Sequence, residues 1–169
     1  MPLKGKTAVV TGGAKGIGRA IALRLAKDGA NIGILDIQKN EADKTVEEIK
    51  KQGVGAVAME CDVTQYSKVK EAVAQIHQAY GSIDILINNA GIDEARAFVE
   101  TDEALWEKIL GVNFKSFLIA SHVCVPYMIE QNSGNIVSMG SDAGRIGAAK
   151  EVIYCATKAA VMAASKALA

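Results

Sequence analysis

Five short runs of apolar, often β-branched residues alternate along the chain with longer stretches of helical periodicity. The runs lie at Thr7–Thr11, Asn31–Asp36 and positions 55–61, 83–88 and 135–140. A strand that is apolar at nearly every position must be covered on both faces, and a helix between two such strands returns the chain across the sheet, so the strands run parallel. Between the first four runs, Ile17, Ile21 and Leu25, then Ala42, Val46 and Ile49, then Val69, Val73, Ile76 and Tyr80 recur at the spacing of one helix face. The expected architecture is therefore α/β, an open parallel sheet wound with helices on both sides. A fourth helix is expected to open at Thr101, whose hydroxyl would cap it while Asp102 and Glu103 favour the positive end of its dipole. It should run to about Glu130, with Pro126 bending or breaking its last turns. A fifth helix begins near Glu151 and continues to the last residue.

The 169 residues are enough for one domain with a sizeable core, expected here over residues 1–169. Nineteen Lys and Arg balance nineteen Asp and Glu, and no block of one sign occurs, which argues against nucleic-acid binding as the main activity. No apolar run approaches the eighteen or so residues of a membrane span, and the start lacks the pattern of a signal peptide. A cytoplasmic protein without a membrane partner is the expectation. Cys61, Cys124 and Cys155 show neither CxxC spacing nor a histidine cluster, so a metal site and a disulfide framework are not expected, and buried free thiols are.

Between the first strand and the first helix stands Thr11-Gly12-Gly13-Ala14-Lys15-Gly16-Ile17-Gly18. Glycines at such a junction let the backbone turn sharply and approach a diphosphate, while the helix start offers unpaired N–H groups. The alternative is a glycine-rich turn without a ligand. The loop is not a Walker A sequence, because Gly16 follows Lys15, and Ile21 stands where the common GxGxxG form would place its third glycine. Asp36, at the end of the second strand, can accept hydrogen bonds from both hydroxyls of an adenosine ribose and would repel a 2′-phosphate, which favours NAD over NADP. Lys15 pulls the other way, since a cation beside the loop can pair with that phosphate. A plain strand-end turn is the other reading of Asp36.

Tyr154 and Lys158 are four residues apart, on one face of the fifth helix and about 6 Å apart along its axis. A free phenol, with a pKa of about 10, is a poor base near neutrality. Bringing it there takes roughly 4 kcal/mol, and a cation about 4 Å away at an effective dielectric near 20 supplies that order of energy. The pair can then exchange a proton with a substrate hydroxyl or carbonyl. Ser141 lies just past the fifth strand, on the sheet edge where α/β proteins bind ligands, and can hold a substrate oxygen against the tyrosine. Ser138, its rival, lies inside the apolar run. Asn113 stands in mid-helix, where asparagine has poor propensity. It either pairs with a neighbouring backbone carbonyl or holds a water next to Lys158 in a proton path.

Together, TGxxxGxG at residues 11–18, Asn88-Asn89-Ala90-Gly91, Asn113, Ser141 and Tyr154-x-x-x-Lys158 resemble the short-chain dehydrogenase/reductase superfamily in its single-domain branch, over the whole chain. The resemblance implies a Rossmann-like fold in which Tyr154 is the acid/base and Lys158 lowers its pKa and holds the nicotinamide ribose. Ser141 would orient the substrate oxygen, and Asn113 would support the proton relay. It places Gly12, Gly16, Ile17 and Gly18 at the pyrophosphate, Asp62 and Val63 beside the adenine, and Asn89, Ala90 and Gly91 beneath the ribose and nicotinamide. Asp62 can also serve as the cap of the third helix. Members of the superfamily continue beyond the helix that carries Tyr154, so the sheet is expected to be truncated after the fifth strand and fifth helix, as the cofactor and catalytic part of a longer protein.

The implied reaction is reversible hydride transfer between NAD(H) and a secondary alcohol or ketone, including hydroxyacyl or alicyclic substrates. Ser141-Asp142-Ala143-Gly144-Arg145 with Glu151 is similar to 2-hydroxycyclohexane-carboxyl-CoA dehydrogenases, and less so to 3-oxoacyl-carrier-protein and acetoin reductases. Arg145 would meet a substrate phosphate or carboxylate, or else pair with Asp142 or Glu151. A non-catalytic dinucleotide sensor or scaffold is the competing class; a sugar-nucleotide epimerase shares YxxxK but not the loop spacing. Trp106, Phe114, Phe117, Val161 and Met162 exceed what one sheet face needs, and core packing explains some of them. The resemblance implies that the fourth and fifth helices pair between subunits, giving a dimer or homotetramer.

Overall fold

The computed structural model describes residues 1–169. Five parallel strands, β1 (Thr7–Thr11), β2 (Asn31–Asp36), β3 (Ala56–Glu60), β4 (Ile85–Asn88) and β5 (Asn135–Ser138), form one sheet in the order β3-β2-β1-β4-β5. The order reverses between β1 and β4, and in such sheets ligands bind beyond the strand ends at that reversal. Asp36 pairs in register with Glu60 and Asn88 with Ser138, so the ends of β2 and β4 carry candidate residues to the same edge.

Side-chain alternation along each strand divides the interior into two cores. Ala8, Val10, Ile32 and Ile34 face helices α1 (Gly16–Lys27) and α2 (Lys39–Lys50), packing on Ala22, Ala26, Val46 and Ile49. Val9, Leu35 and Leu86 face the other way, onto α3 (Tyr66–Tyr80) and the helical segment that follows β4. That segment comprises α4 (Glu103–Leu110), a π-helical turn (Gly111–Lys115) and α5 (Ser116–Glu130) without interruption. A short α6 (Ala143–Ile146) and a long α7 (Val152–Leu168) complete the chain.

Several expectations need correction. Asp102, not Thr101, caps α4: its Oδ1 accepts the Leu105 N–H at 2.8 Å. The Thr101 hydroxyl instead donates to the Phe98 carbonyl and accepts the Trp106 indole N–H. Helix α5 continues through Pro126 to Glu130. Over Glu103–Glu130 the continuous helix is long and apolar enough to cross a membrane, contrary to the run-length reading, but half of its most apolar window is buried inside the fold. Phe117 and Val161 belong to the buried interior, so core packing accounts for these two. Of the three thiols, Cys61 and Cys124 are buried, and burial pushes them up to about 11 and about 12, whereas Cys155 is half-buried.

Candidate active site

The loop between β1 and α1 is built on close backbone approach. A side-chain carbon at Gly18 would stand 2.1 Å from the Gly12 carbonyl oxygen, and one at Gly12 would stand 3.0 Å from the Ala90 Cα. Gly12 and Gly16 adopt φ of 65° and 57°, which disfavour other residues. Asn89 clamps this turn, its Nδ2 donating to the Thr11 and Gly12 carbonyls at 3.0 Å each. The Thr11 hydroxyl in turn accepts the N–H groups of Asn89 and Ala90. Helix α1 then begins with no side-chain cap. Its first N–H groups and dipole present a partial positive charge to an anion at the sheet edge.

Asp36 closes one side of the loop. Its Oδ2 accepts the Ala14 N–H at 3.0 Å and its Oδ1 accepts the Gln38 N–H at 2.9 Å. Each carboxylate oxygen retains a lone pair for a ribose hydroxyl. Lys15 is exposed at the N-cap of α1. Across the β2–β3 pair, the Cys61 N–H donates to the Asp36 carbonyl, which brings Asp62 and the buried Val63 beside the same edge. Asp62 does not cap α3, whose N-cap is Gln65. Instead it folds a turn onto Thr64 and Gln65, and hydrogen bonds from the Thr64 hydroxyl and N–H, then from Gln65, hold its carboxyl below the usual range against desolvation.

Lys158 is buried, at 6% exposure, with its Nζ 5.7 Å from the centre of the Tyr154 ring and donating to the Met139 carbonyl at 2.8 Å. Burial lowers its pKa. Asn113 occupies the π-turn. Its Oδ1 accepts the Ile92 N–H and its Nδ2 donates to the Ile92 carbonyl, both at 2.8 Å, and Nδ2 also reaches Thr157 Oγ1 at 3.2 Å. The amide therefore pairs with backbone, and it ties the segment following Asn-Ala-Gly to the residue before Lys158. A side-chain carbon at Gly91 would lie 3.5 Å from Asn113 Oδ1 and 3.6 Å from Lys158 Nζ, so three elements converge there.

Ser141 lies beyond the end of β5, where its Oγ accepts the Ala143 N–H at 3.2 Å and starts α6. Ser138 ends β5, within 3.4 Å of Asn88 Nδ2. Arg145 pairs with Asp142 at 3.3 Å on the surface, which is the second of its two readings.

Four positions carry no sequence signal strong enough to single them out. Met139 supplies a backbone carbonyl, which has no residue-type signature. Thr157 accepts from Asn113, and its position beside Lys158 is the available signal. Gly144 permits α6 to press on α7, because a side-chain carbon there would stand 2.7 Å from the Ala159 nitrogen. Thr45, on α2, donates to the Ala14 carbonyl at 3.0 Å.

Comparison with known proteins agrees with this fold. The sequence matches the short chain dehydrogenase family model over residues 6–169. It is 36% identical over 162 residues to a 3-oxoacyl-(acyl-carrier-protein) reductase of Staphylococcus epidermidis, covering 95% of this chain and 66% of that protein. To a sorbitol dehydrogenase of Cereibacter sphaeroides it is 39% identical over 163 residues, covering 96% and 62%. The crystal structure of an NAD+-bound xylitol dehydrogenase superposes with a TM-score of 0.96 at 33% identity, covering 100% of this chain and 65% of that one. The chain thus spans 62%, 65% and 66% of the lengths of these three proteins.

Proposed function

The chain belongs to the short chain dehydrogenase family, and from that premise we propose that the complete protein is an NAD-linked oxidoreductase interconverting secondary alcohols and ketones. The dinucleotide fits the residues present: a diphosphate against the uncapped start of α1 at Gly16, Ile17 and Gly18, and the adenosine ribose on Asp36. Gly12 and Lys15 flank the diphosphate, Asp62 and Val63 the adenine, and Asn89, Ala90 and Gly91 the nicotinamide side. Bound there, NAD(H) accepts or supplies the hydride at the substrate carbon.

Tyr154 takes the proton from the substrate hydroxyl during oxidation and returns it to the carbonyl oxygen during reduction. One observation carries this reading: the buried Lys158 ammonium, fixed by the Met139 carbonyl, lies over the Tyr154 ring. A cation held there attracts the negative charge that develops on the tyrosine oxygen during proton transfer. Ser141 orients the substrate oxygen, and Asn113, through its hold on Ile92 and Thr157, keeps the proton path to Lys158 in place. The similarity to both a 3-oxoacyl reductase and polyol dehydrogenases supports secondary alcohol chemistry. On the same reading the working protein is a homo-oligomer assembled through the outer faces of α5 and α7.

The test is Tyr154→Phe in the complete protein, with turnover followed at the nicotinamide absorbance on a panel of secondary alcohols and 3-oxoacyl thioesters. We expect kcat/KM to fall about 10²–10⁴-fold, the usual share of acid–base catalysis, with NADH affinity unchanged. Turnover equal to wild type would overturn the assignment.

A further inference from the structure

The residue after the glycine turn, Ala14, is held from two sides. Its N–H donates to Asp36 at the end of β2, and its carbonyl accepts the hydroxyl of Thr45 from α2 at 3.0 Å. Thr45 is 1% exposed and Ala14 3%, so the bond between them is shielded from water, and that to Asp36 is partly so. A threonine inside a helix ordinarily returns its hydroxyl to the carbonyl four residues back. Here that carbonyl, of Glu41, is 3.4 Å away, and the single hydroxyl proton has the nearer acceptor in the loop.

The two-sided hold matters because the Asn89 clamp reaches only Thr11 and Gly12, and Ala14 carries the anchoring on toward α1. Gly12 and Gly16 both have positive φ, and nothing lies within 4 Å of where a Gly16 side chain would start. Ala14 is the fixed point between them. Fixing the planes of its two peptide bonds sets the direction in which the chain enters Lys15 and α1, whose first N–H groups are the donors available to a diphosphate.

We propose that Thr45 is a positioning residue for dinucleotide binding: through the Ala14 carbonyl it aims the diphosphate-binding N–H groups of α1, without touching the cofactor. This rests on the dinucleotide reading of the loop. Asp36 consequently has two roles, since the carboxylate that meets the ribose also anchors the other side of Ala14.

The experiment is NADH titration by fluorescence on the complete protein, with wild type, Thr45→Val and Thr45→Ser. Valine keeps the shape and removes the hydroxyl; serine keeps the hydroxyl. We expect Thr45→Val to raise the NADH Kd about tenfold and the cofactor KM in parallel, with kcat at saturating NADH within twofold of wild type. Thr45→Ser should restore the Kd to within about threefold. Deuterium uptake in peptides spanning residues 12–18 should quicken in Thr45→Val alone.

If wild type binds neither NADH nor NADPH, the dinucleotide reading itself falls. If wild type binds and Thr45→Val binds equally well, only the role of Thr45 falls. That role falls too if serine is as weak as valine, because the methyl packing is then what matters. Should Thr45→Val not fold, Thr45→Ala replaces it. Failure of both to fold makes the hydroxyl a folding determinant and overturns the positioning role.

Discussion

On the proposed function, cofactor choice turns on Asp36. Both of its oxygens are engaged by backbone N–H groups, of Ala14 and Gln38, so the carboxylate cannot swing away when a 2′-phosphate approaches. Unit like charges 4 Å apart repel by about 4 kcal/mol at an effective dielectric of 20. Asp36 is half-exposed and screening reduces this, yet one third of it still amounts to about a tenfold preference. The exposed Lys15 can only partly offset a charge that is pinned. We therefore expect kcat/KM with NAD to exceed that with NADP at least tenfold, measured on one alcohol substrate. A ratio at or below one would show that Lys15 prevails.

Among the elements, strand positions were legible because a doubly covered strand is apolar at every step, but the strand ends were not. Ile83, Cys61 and Met139 extend the apolar runs, yet they lie outside the strands proper. The Ile83 N–H goes to the Gln131 side chain, that of Cys61 to the Asp36 carbonyl and that of Met139 to the Asn88 carbonyl. The order of Gly loop, Asn-Ala-Gly, Ser141 and Tyr154-x-x-x-Lys158 was equally legible, since each sits at the end or on one face of a predictable element. The π-turn at Asn113, the Met139 carbonyl and the Thr45 hydroxyl were not. All three depend on contacts between residues 19 to 31 apart or on backbone geometry that no residue type announces.

Asp84 belongs with these hidden contacts. At the edge of the sheet opposite the site, it accepts Lys6 Nζ at 2.7 Å, the Thr7 N–H at 2.9 Å and the Ser82 hydroxyl at 2.6 Å. Burial pushes its carboxyl up, but the hydrogen bonds from Lys6, Ser82 and Thr7 together outweigh it and hold the group below the usual range. A carboxyl lower in the folded than the unfolded state adds stability that is complete above the unfolded value of about 3.9. That stability is lost as pH falls through the folded value. Asp84→Asn should thus lower Tm at pH 7 by about 4–8 °C, for roughly 2 kcal/mol of charge-assisted bonding, and flatten the drop in Tm between pH 4 and 2. Matching Tm profiles for the two proteins would mean that Asp84 contributes nothing to acid stability.

At the scale of the molecule, α5 and α7 place Leu118, Val125, Pro126, Ala164 and Leu168 along one shallow groove. Leu118 and Leu168 are each 46% exposed, on helices that bury Phe117, Ala120 and Cys124 of α5 and Val161 of α7. Closely spaced apolar side chains of this kind are what the proposed homo-oligomer would cover. A two-fold assembly would bring the groove against its own copy and so bury each residue twice. Burying a leucine contributes about 1.5–3 kcal/mol, and a charge in its place forfeits at least that. Leu118→Glu, present twice in the interface, should weaken self-association by about 4 kcal/mol, or roughly a thousandfold in Kd. Light scattering at tens of micromolar should then show wild type as a dimer or tetramer and Leu118→Glu as a smaller species with unchanged circular dichroism. A wild-type monomer at that concentration would leave the groove unpartnered and would require the exposed leucines to be explained another way.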